Sequence, residues 1–81
     1  IQTVRLRFEN HLVGAVIDRF GRDTMIPAFD EDHFTVSVDV AVSPQFFAWV
    51  FGFGTAVEIL SPESVRKEYE QRLGLLSEMY K

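Results

Sequence analysis

Four segments of the chain carry the alternation of apolar and polar residues that is typical of β-strands. The clearest are residues 3–8 and residues 34–42, where every second side chain is large and apolar. The latter is long and rich in β-branched residues, so we place it in the sheet interior. Residues 56–60 form a shorter strand pattern. Residues 24–29 alternate weakly and contain Pro27, which has no N–H for a sheet ladder, so this segment is predicted to be an edge strand.

Helical spacing follows the first predicted strand. Apolar residues between Leu12 and Phe20 recur at steps of three and four, which predicts an amphipathic helix. Asn10 is in position to cap the start of this helix with its side-chain oxygen. Gly21 is in position to end it in a left-handed conformation. The sequence therefore predicts the first helix between these two caps.

The second and third helices are predicted to open in the same way. Ser43 can cap a helix, and Pro44 then occupies the first turn, where its missing N–H removes no hydrogen bond. This helix is predicted to run to Phe51. Ser61 and Pro62 repeat the pair and predict a final helix that reaches the end of the chain. Its apolar stripe has steps of three or four and consists of Val65, Tyr69, Leu73, Leu76 and Tyr80.

The predicted elements follow the order βαββαβ, with one more helix at the C-terminus. The acidic segment at residues 30–33 is typical of the hairpin turn between the second and third strands. Two right-handed βαβ units joined by a hairpin make the ferredoxin-like split βαβ arrangement, in which the first and third strands are central. We therefore predict an α+β domain of the ferredoxin-like class over residues 1–81.

Composition and charge argue against several classes of function for this chain. The chain has 81 residues, 47% of them hydrophobic and 25% charged, which suits one globular domain. Its net charge of −4 leaves no excess of Lys and Arg for nonspecific contacts with DNA phosphates. Cysteine is absent, and the longest apolar run, residues 46–53, is too short to cross a membrane. Because the chain opens at Ile1 inside a strand pattern and shows no signal peptide, we expect a fragment of a larger cytoplasmic protein.

The chain carries no pattern that is typical of an enzyme. His11 and His33 have no serine, cysteine or carboxylate partner at motif spacing. The glycines at residues 52–54 lack the third glycine of a dinucleotide loop, and the acidic run lacks the spacing of a calcium loop. An acylphosphatase-type enzyme of this topology would need a glycine-rich phosphate loop after the first strand, and residues 8–11 do not form one. We expect no catalytic residue, no cofactor and no metal ion.

The outward face of the predicted sheet bears on ligand binding. RNA-recognition domains of this topology stack bases on aromatic side chains of their first and third strands. Here those positions hold Thr3, Arg5, Arg7, Thr35, Ser37 and Asp39. Arg5 and Arg7 form a short basic row that can hold a phosphate or a carboxylate group. The alternative is that they pair with Asp39 and Glu58 on neighbouring strands.

The second predicted helix carries more aromatic residues than one buried stripe uses. The stripe that can cover the sheet consists of Phe46, Trp49, Val50 and Phe53. Phe47 and Phe51 lie on its flank, and two interpretations follow. Either the C-terminal helix covers both rings, with Tyr69, Leu73 and Leu76 against them, or Phe47, Phe51 and Tyr69 belong to a protein interface, where aromatic residues are enriched. Leu75 and Met79 widen the stripe of the C-terminal helix and fit the same interface.

Taken together, these segments resemble the WCX domain, the C-terminal extension of bacterial WYL-domain transcription regulators. The resemblance covers nearly the whole chain. The segments that carry it are Val4–Phe8, Phe34–Val38, Ser43–Trp49, Gly52–Gly54, Val57–Pro62 and Met79–Tyr80. Each segment alone is a loose pattern, and the specificity comes from their order, their spacing and the block from Trp49 to Gly54.

The resemblance implies a bacterial protein with an N-terminal winged helix-turn-helix that binds DNA, a central WYL domain, and this module last. In that family the last two domains are thought to sense single-stranded DNA or another nucleic-acid or small-molecule effector, and to contribute to a homodimer. The family's ligand-contacting arginines belong to the WYL domain and are not part of this chain. Many members carry a Trp-His-Pro stretch at the second strand, where this chain has Thr24–Phe29, so the resemblance assigns that strand no ligand role.

Overall fold

The computed structural model describes residues 1–81 as one antiparallel sheet with three helices. The strands are β1 (Gln2–Glu9), β2 (His33–Val40) and β3 (Val57–Ser61), in the spatial order β2-β1-β3. The helices are α1 (Val13–Phe20), α2 (Pro44–Phe51) and α3 (Glu63–Met79), and short 3-10 turns at Asn10–Leu12 and Gly54–Ala56 precede α1 and β3. The predicted α+β class is confirmed, and the order β-α-β-α-β-α is compatible with a ferredoxin-like split fold.

The helices pack on one face of the sheet, as the alternation predicts, and on the other face of the strands only Thr35 is buried. Val4, Leu6 and Phe8 of the central strand β1 are completely buried. They face the helices, together with the even-numbered apolar residues of β2 and with Val57 and Ile59 of β3. The neighbouring side chains of β1 point to the opposite side, where no helix packs. The fold therefore has two layers and leaves one polar sheet face open.

Phe8 lies at the centre of an aromatic cluster that joins the sheet to the helices. Its ring stacks on that of Phe34 of β2, with centroids 5.6 Å apart. The edges of Trp49 and Phe53 meet it at 5.9 Å and 5.8 Å. Trp49 in turn meets Phe20 of α1 at 5.4 Å. Offset and edge-on aromatic pairs of this kind stabilise a core by more than the burial of their apolar area alone would.

The predicted edge strand at residues 24–29 is reduced to a single bridge between Ala28 and Phe34. The segment does lie at the edge of the sheet beside β2, where the Thr35 N–H donates to the Pro27 carbonyl at 3.0 Å. Pro27 can accept such a bond but cannot donate one, so the ladder does not continue. The prediction of a full strand here is wrong, and the sheet has three strands rather than four.

Four smaller predictions about element ends are also wrong. The Asn10 side chain does not cap α1, because its amide donates to the Glu31 carbonyl at 2.9 Å and ties the start of the helix to the hairpin turn. Ser61 is the last residue of β3 and makes no capping hydrogen bond to α3. Gly21 ends α1 with a positive φ of 100° but an extended ψ of 161°, so it is not left-handed helical. The strand predicted to reach residue 42 ends at Val40.

The start of α2 and the placement of α3 follow local chemistry. The Ser43 hydroxyl accepts the Phe46 N–H at 3.3 Å, and Pro44 occupies the first turn, as predicted. In α3 only Val65 is buried, whereas Tyr69 and Leu73 are half-buried. Arg66 reaches back to β3 and donates to the Ile59 carbonyl at 2.8 Å, which satisfies an edge carbonyl and blocks that edge of the sheet. No helix here combines the length and the apolar character that crossing a membrane requires.

The position of Phe8 predicts a large and specific loss of stability on truncation. We expect Phe8→Ala to lower the free energy of unfolding by about 3–5 kcal/mol, because it opens a cavity where three other rings meet. Phe51→Ala is the matched control, since the Phe51 side chain is 57% exposed; this change should cost less than about 1 kcal/mol. Urea unfolding followed by circular dichroism measures both. Equal losses in the two variants would contradict the arrangement.

Candidate functional site

The open face of the sheet carries the two arginines that the sequence singled out. In the register of β1 with β2, Arg5 lies opposite Ser37 and Arg7 opposite Thr35. On the other side, Arg7 lies opposite Glu58 of β3. Both arginines project from the central strand onto the same polar face, because residues two apart on a strand point the same way. Their surroundings nevertheless differ.

Arg7 is engaged within the chain. Its guanidinium donates to the Glu58 carboxylate at 2.5 Å, which is the cross-strand pair weighed as the alternative to ligand binding. The guanidinium carbon also lies 5.4 Å from the centre of the Phe29 ring, within the range of a cation–π contact. A ligand that binds the Arg7 guanidinium would have to compete with the Glu58 carboxylate and with the Phe29 ring.

Glu58 is held by two guanidinium groups at once. Arg66 of α3 donates to its second oxygen at 2.7 Å, while Arg7 donates to the first. The hydrogen bond from Arg66 and the positive charges of Arg66 and Arg7 outweigh partial burial and lower the pKa of Glu58 below its usual 4.5. This pair of contacts links the open sheet face to α3.

Arg5 has no such partner. The pair with Asp39, the alternative considered for Arg5, is absent, and the Asp39 carboxylate accepts a hydrogen bond from the Thr3 hydroxyl at 2.5 Å. Neither a hydrogen bond nor a salt bridge within the chain engages the Arg5 guanidinium, and the residue is exposed. The structure therefore separates two arginines that the sequence treated as one row: Arg7 is paired, and Arg5 is available.

A cavity of about 600 Å³ opens beside Arg5, between β2 and the segment that follows α1. Its polar wall includes Arg5, Asp23, Ser37 and Asp39, and its apolar wall includes Phe20 and Met25. The volume falls in the range of small-molecule sites, about 300–1,000 Å³. The concavity lies at the edge of β2, next to the open face, and is large enough to hold a small ligand.

Phe29 is a surface feature that reasoning from the sequence missed. The bridge between Ala28 and Phe34 turns Phe29 toward the open face, where its ring lies against Arg7 and remains 45% exposed. The outward positions of β1 and β2 hold no aromatic residue, as predicted, but the segment at the edge of β2 brings one beside them. The signal in the sequence was the alternation of Pro27, Ala28 and Phe29, which puts Phe29 on the opposite side of the segment from Ala28. Which side that is depends on the pairing of Ala28 with Phe34.

The flank of α2 divides between the two interpretations considered for it. Phe47 is only 4% exposed, and its ring stacks on Tyr69 of α3 at 5.5 Å with an interplanar angle of 13°. The guanidinium of Arg72 covers the Phe47 ring at 5.0 Å. The C-terminal helix therefore covers Phe47 but not Phe51. Burial of Tyr69 raises the pKa of its hydroxyl above the usual 10.0.

The remaining candidate interface residues are exposed. Leu75 and Met79 are 70% and 72% exposed, on the last two turns of α3. Leu76 and Tyr80, which the sequence placed on the buried stripe of the helix, are exposed as well. We call the set of Leu75, Leu76, Met79 and Tyr80 the α3 end patch. Four large apolar side chains on one helix end are more than scattered surface residues.

The two histidines each contact one carboxylate at the end of the sheet that leads into α1. His11 lies 3.0 Å from Glu9, and His33 lies 2.8 Å from Asp30. The hydrogen bond with His33 and that from the Asp32 N–H lower the pKa of Asp30 below its usual 3.8. No three such side chains are arranged to hold a metal ion.

The family model described as the WCX domain matches residues 1–76 of the chain. No curated protein matches it.

The double pairing of Glu58 predicts a pH-dependent contribution to stability. Because its folded-state pKa is lowered, the contribution is present above the unfolded value of 4.5 and is lost as the pH falls through the folded value. We expect Glu58→Gln to lower the free energy of unfolding at neutral pH by less than about 1 kcal/mol, since the pair is partly exposed. At acid pH, below the lowered folded-state pKa of Glu58, the difference from wild type should vanish because the carboxyl group is then neutral in both states.

Urea unfolding at both pH values tests this expectation, with Glu70→Gln as the control on an exposed acid of α3 that makes no ion pair. A Glu58→Gln deficit that is the same at neutral and acid pH would show that the loss is not electrostatic. A Glu70→Gln deficit of equal size would show that the two guanidinium contacts contribute nothing specific.

Proposed function

The chain belongs to the WCX domain family, whose members are C-terminal domains of WYL-type transcription regulators, and we propose that it is the regulatory and assembly module of such a regulator. In the full-length bacterial protein, a helix-turn-helix domain binds DNA and a WYL domain precedes this module. The protein acts in the cytoplasm as a homodimer. The module contributes to the dimer and to effector sensing.

The observation that carries this proposal is the α3 end patch. Its four side chains are between 48% and 84% exposed, although residues of this size and polarity are usually buried. They lie beyond Leu73, the last half-buried residue of α3. Large apolar side chains that a domain leaves uncovered mark contact sites with other proteins.

The charge of α3 favours a second copy of the chain as the partner. The helix and the residues after it contain four acidic and four basic residues. They are Glu63, Glu68, Glu70 and Glu78, and Arg66, Lys67, Arg72 and Lys81. Three (i, i+4) or (i, i+3) ion pairs, among them Arg72 with Glu68 and Lys81 with Glu78, neutralise them locally. Two copies of this helix can therefore approach without net repulsion, even though the chain as a whole carries −4.

Charged substitutions in the α3 end patch test the assembly role. We expect the wild-type chain to sediment as a concentration-dependent dimer. The variant Leu75→Asp with Met79→Asp should weaken association by about tenfold or more, because each carboxylate would be desolvated in the interface. Circular dichroism should stay unchanged, since both side chains are exposed. Sedimentation velocity over a range of concentrations measures the effect.

Three further variants separate an interface from the core. Met25→Asp introduces a charge at another exposed apolar residue and should leave the association unchanged. Phe51→Asp reports whether the exposed flank of α2 takes part. Phe47→Asp should unfold the chain, because Phe47 lies in the core. A wild-type chain that stays monomeric at every concentration would overturn the assembly role.

A second candidate function is the binding of a single-stranded nucleic acid on the open sheet face. Two observations favour it: the unpaired Arg5 guanidinium and the exposed ring of Phe29 beside Arg7. Arginine can hold a phosphate, and an aromatic ring can stack on a base. Here the module would take part in sensing directly rather than only supporting the assembly.

Titration with a short single-stranded DNA at low and moderate salt tests this function. We expect binding that weakens with salt and that is reduced by about tenfold or more in Arg5→Ala with Arg7→Ala. Arg22→Ala, at an exposed arginine that is not part of the sheet face, is the control for net charge. Binding that is the same in the double variant and in the wild type would exclude the sheet face as the site.

A further inference from the structure

The edge of β2 is open where the cavity beside Arg5 lies. Thr35 uses this edge, because its N–H donates to the Pro27 carbonyl. Residues two apart on a strand direct their backbone groups to the same edge, so Ser37 and Asp39 also present their N–H and C=O groups there. No backbone hydrogen bond outside the strand ladder and the helices uses these groups. Part of the cavity wall is therefore an unpaired strand edge.

The charged groups around this edge have opposite signs. Arg5 forms no ion pair, and neither does Asp23 on the facing segment. Asp39 accepts one hydrogen bond at Oδ1, from Thr3, which leaves its other oxygen available. The two carboxylates would repel a simple anion, and the Arg5 guanidinium would repel a simple cation. A molecule with an anionic and a cationic end fits this set of charges.

The rest of the cavity is apolar. Phe20 and Met25 contribute to its wall, and Met25 is 82% exposed, so a ligand in the cavity would cover it. The volume of about 600 Å³ exceeds what a single amino acid fills and suits two or three residues of extended chain. An extended backbone is also the shape that pairs with a strand edge.

We propose that this cavity binds a short peptide of two or three residues with free termini, added as a short strand to the open edge of β2. The peptide backbone pairs with Ser37 and Asp39, its carboxylate lies at Arg5, and its ammonium group lies at Asp23 or Asp39. An apolar side chain of the peptide packs on Phe20 and Met25. The inference rests on the effector-sensing part of the proposed function and names the chemical class of the effector.

Titration of the 81-residue chain with the tripeptide alanyl-leucyl-alanine, followed by two-dimensional ¹⁵N–¹H NMR, tests the proposal. We expect saturable shifts of the Ser37 and Asp39 amides. The N-acetylated and C-amidated forms of the same peptide should each bind about tenfold more weakly or not at all, because each lacks one charged end. These two ligands separate recognition of the termini from nonspecific apolar contact.

Protein variants provide the matched control. Arg5→Gln should weaken binding of the free tripeptide by about tenfold or more, and should leave the weak binding of the C-amidated form unchanged. Arg22→Gln makes the same charge change outside the cavity wall and should bind as the wild type does. Asp23→Asn with Asp39→Asn removes both carboxylates that can hold the ammonium group, and should weaken binding of the free tripeptide but not of its N-acetylated form.

Two results would overturn the inference: no saturable binding of the tripeptide, or equal losses in Arg5→Gln and Arg22→Gln. If the tripeptide fails while a single-stranded oligonucleotide binds through Arg5, the peptide class is wrong and the sensing function stands. If neither ligand binds while the chain still associates through α3, both the inference and the sensing role fall, and the assembly role is untouched.

Discussion

The ring of Phe8 is the contact on which the rest of the fold depends. It lies at the end of the central strand, it is completely buried, and it meets Phe34 of β2 and both Trp49 and Phe53 from α2 and the turn after it. Trp49 extends the cluster to α1 through Phe20. Because all these rings lie on one side of the sheet, the helices must pack there. The opposite side of the sheet is left polar and open.

This one-sided packing decides which surfaces are free to act. On the open face, Glu58 engages Arg7 and Arg66, while Arg5 stays free beside the cavity. On the helical side, Tyr69 and Arg72 cover Phe47, and these contacts hold α3 against α2. Every residue of α3 after Leu73 is exposed, including the large apolar side chains of the α3 end patch. The fold thus leaves one polar site and one apolar site, at different places on the molecule.

Much of the fold could be predicted from the sequence, because alternation and capping are local. The three strands, the Ser43 cap with Pro44, and the burial of Val57 and Ile59 all follow from patterns within a few residues. What could not be predicted depends on pairing across the chain. Asn10 bonds to the hairpin turn instead of its own helix, and residues 24–29 pair with β2 at a single bridge, because Pro27 has no N–H to continue the ladder.

In the candidate site, too, the local pattern could be predicted and the pairing across the chain could not. The sequence identified Arg5 and Arg7 as neighbours on one face, but only the register with β3 shows that Glu58 pairs with one of them. The exposed ring of Phe29 could not be predicted from the alternation in β1 and β2, because Phe29 belongs to neither strand. For α3, the helical period predicted an apolar stripe that reaches Tyr80, but the period alone does not show where along the helix burial ends. Leu76 and Tyr80 belong to that stripe and are exposed.

The central claim is that the end of α3 is a contact surface. Hydrogen–deuterium exchange of the chain at a low and a high protein concentration tests it most directly. The account predicts that amide exchange in residues 73–80 slows at high concentration, while exchange in β1, already buried in each copy, stays the same. Unchanged exchange in residues 73–80 at a concentration where the chain is associated would contradict the claim, because the association would then use another surface.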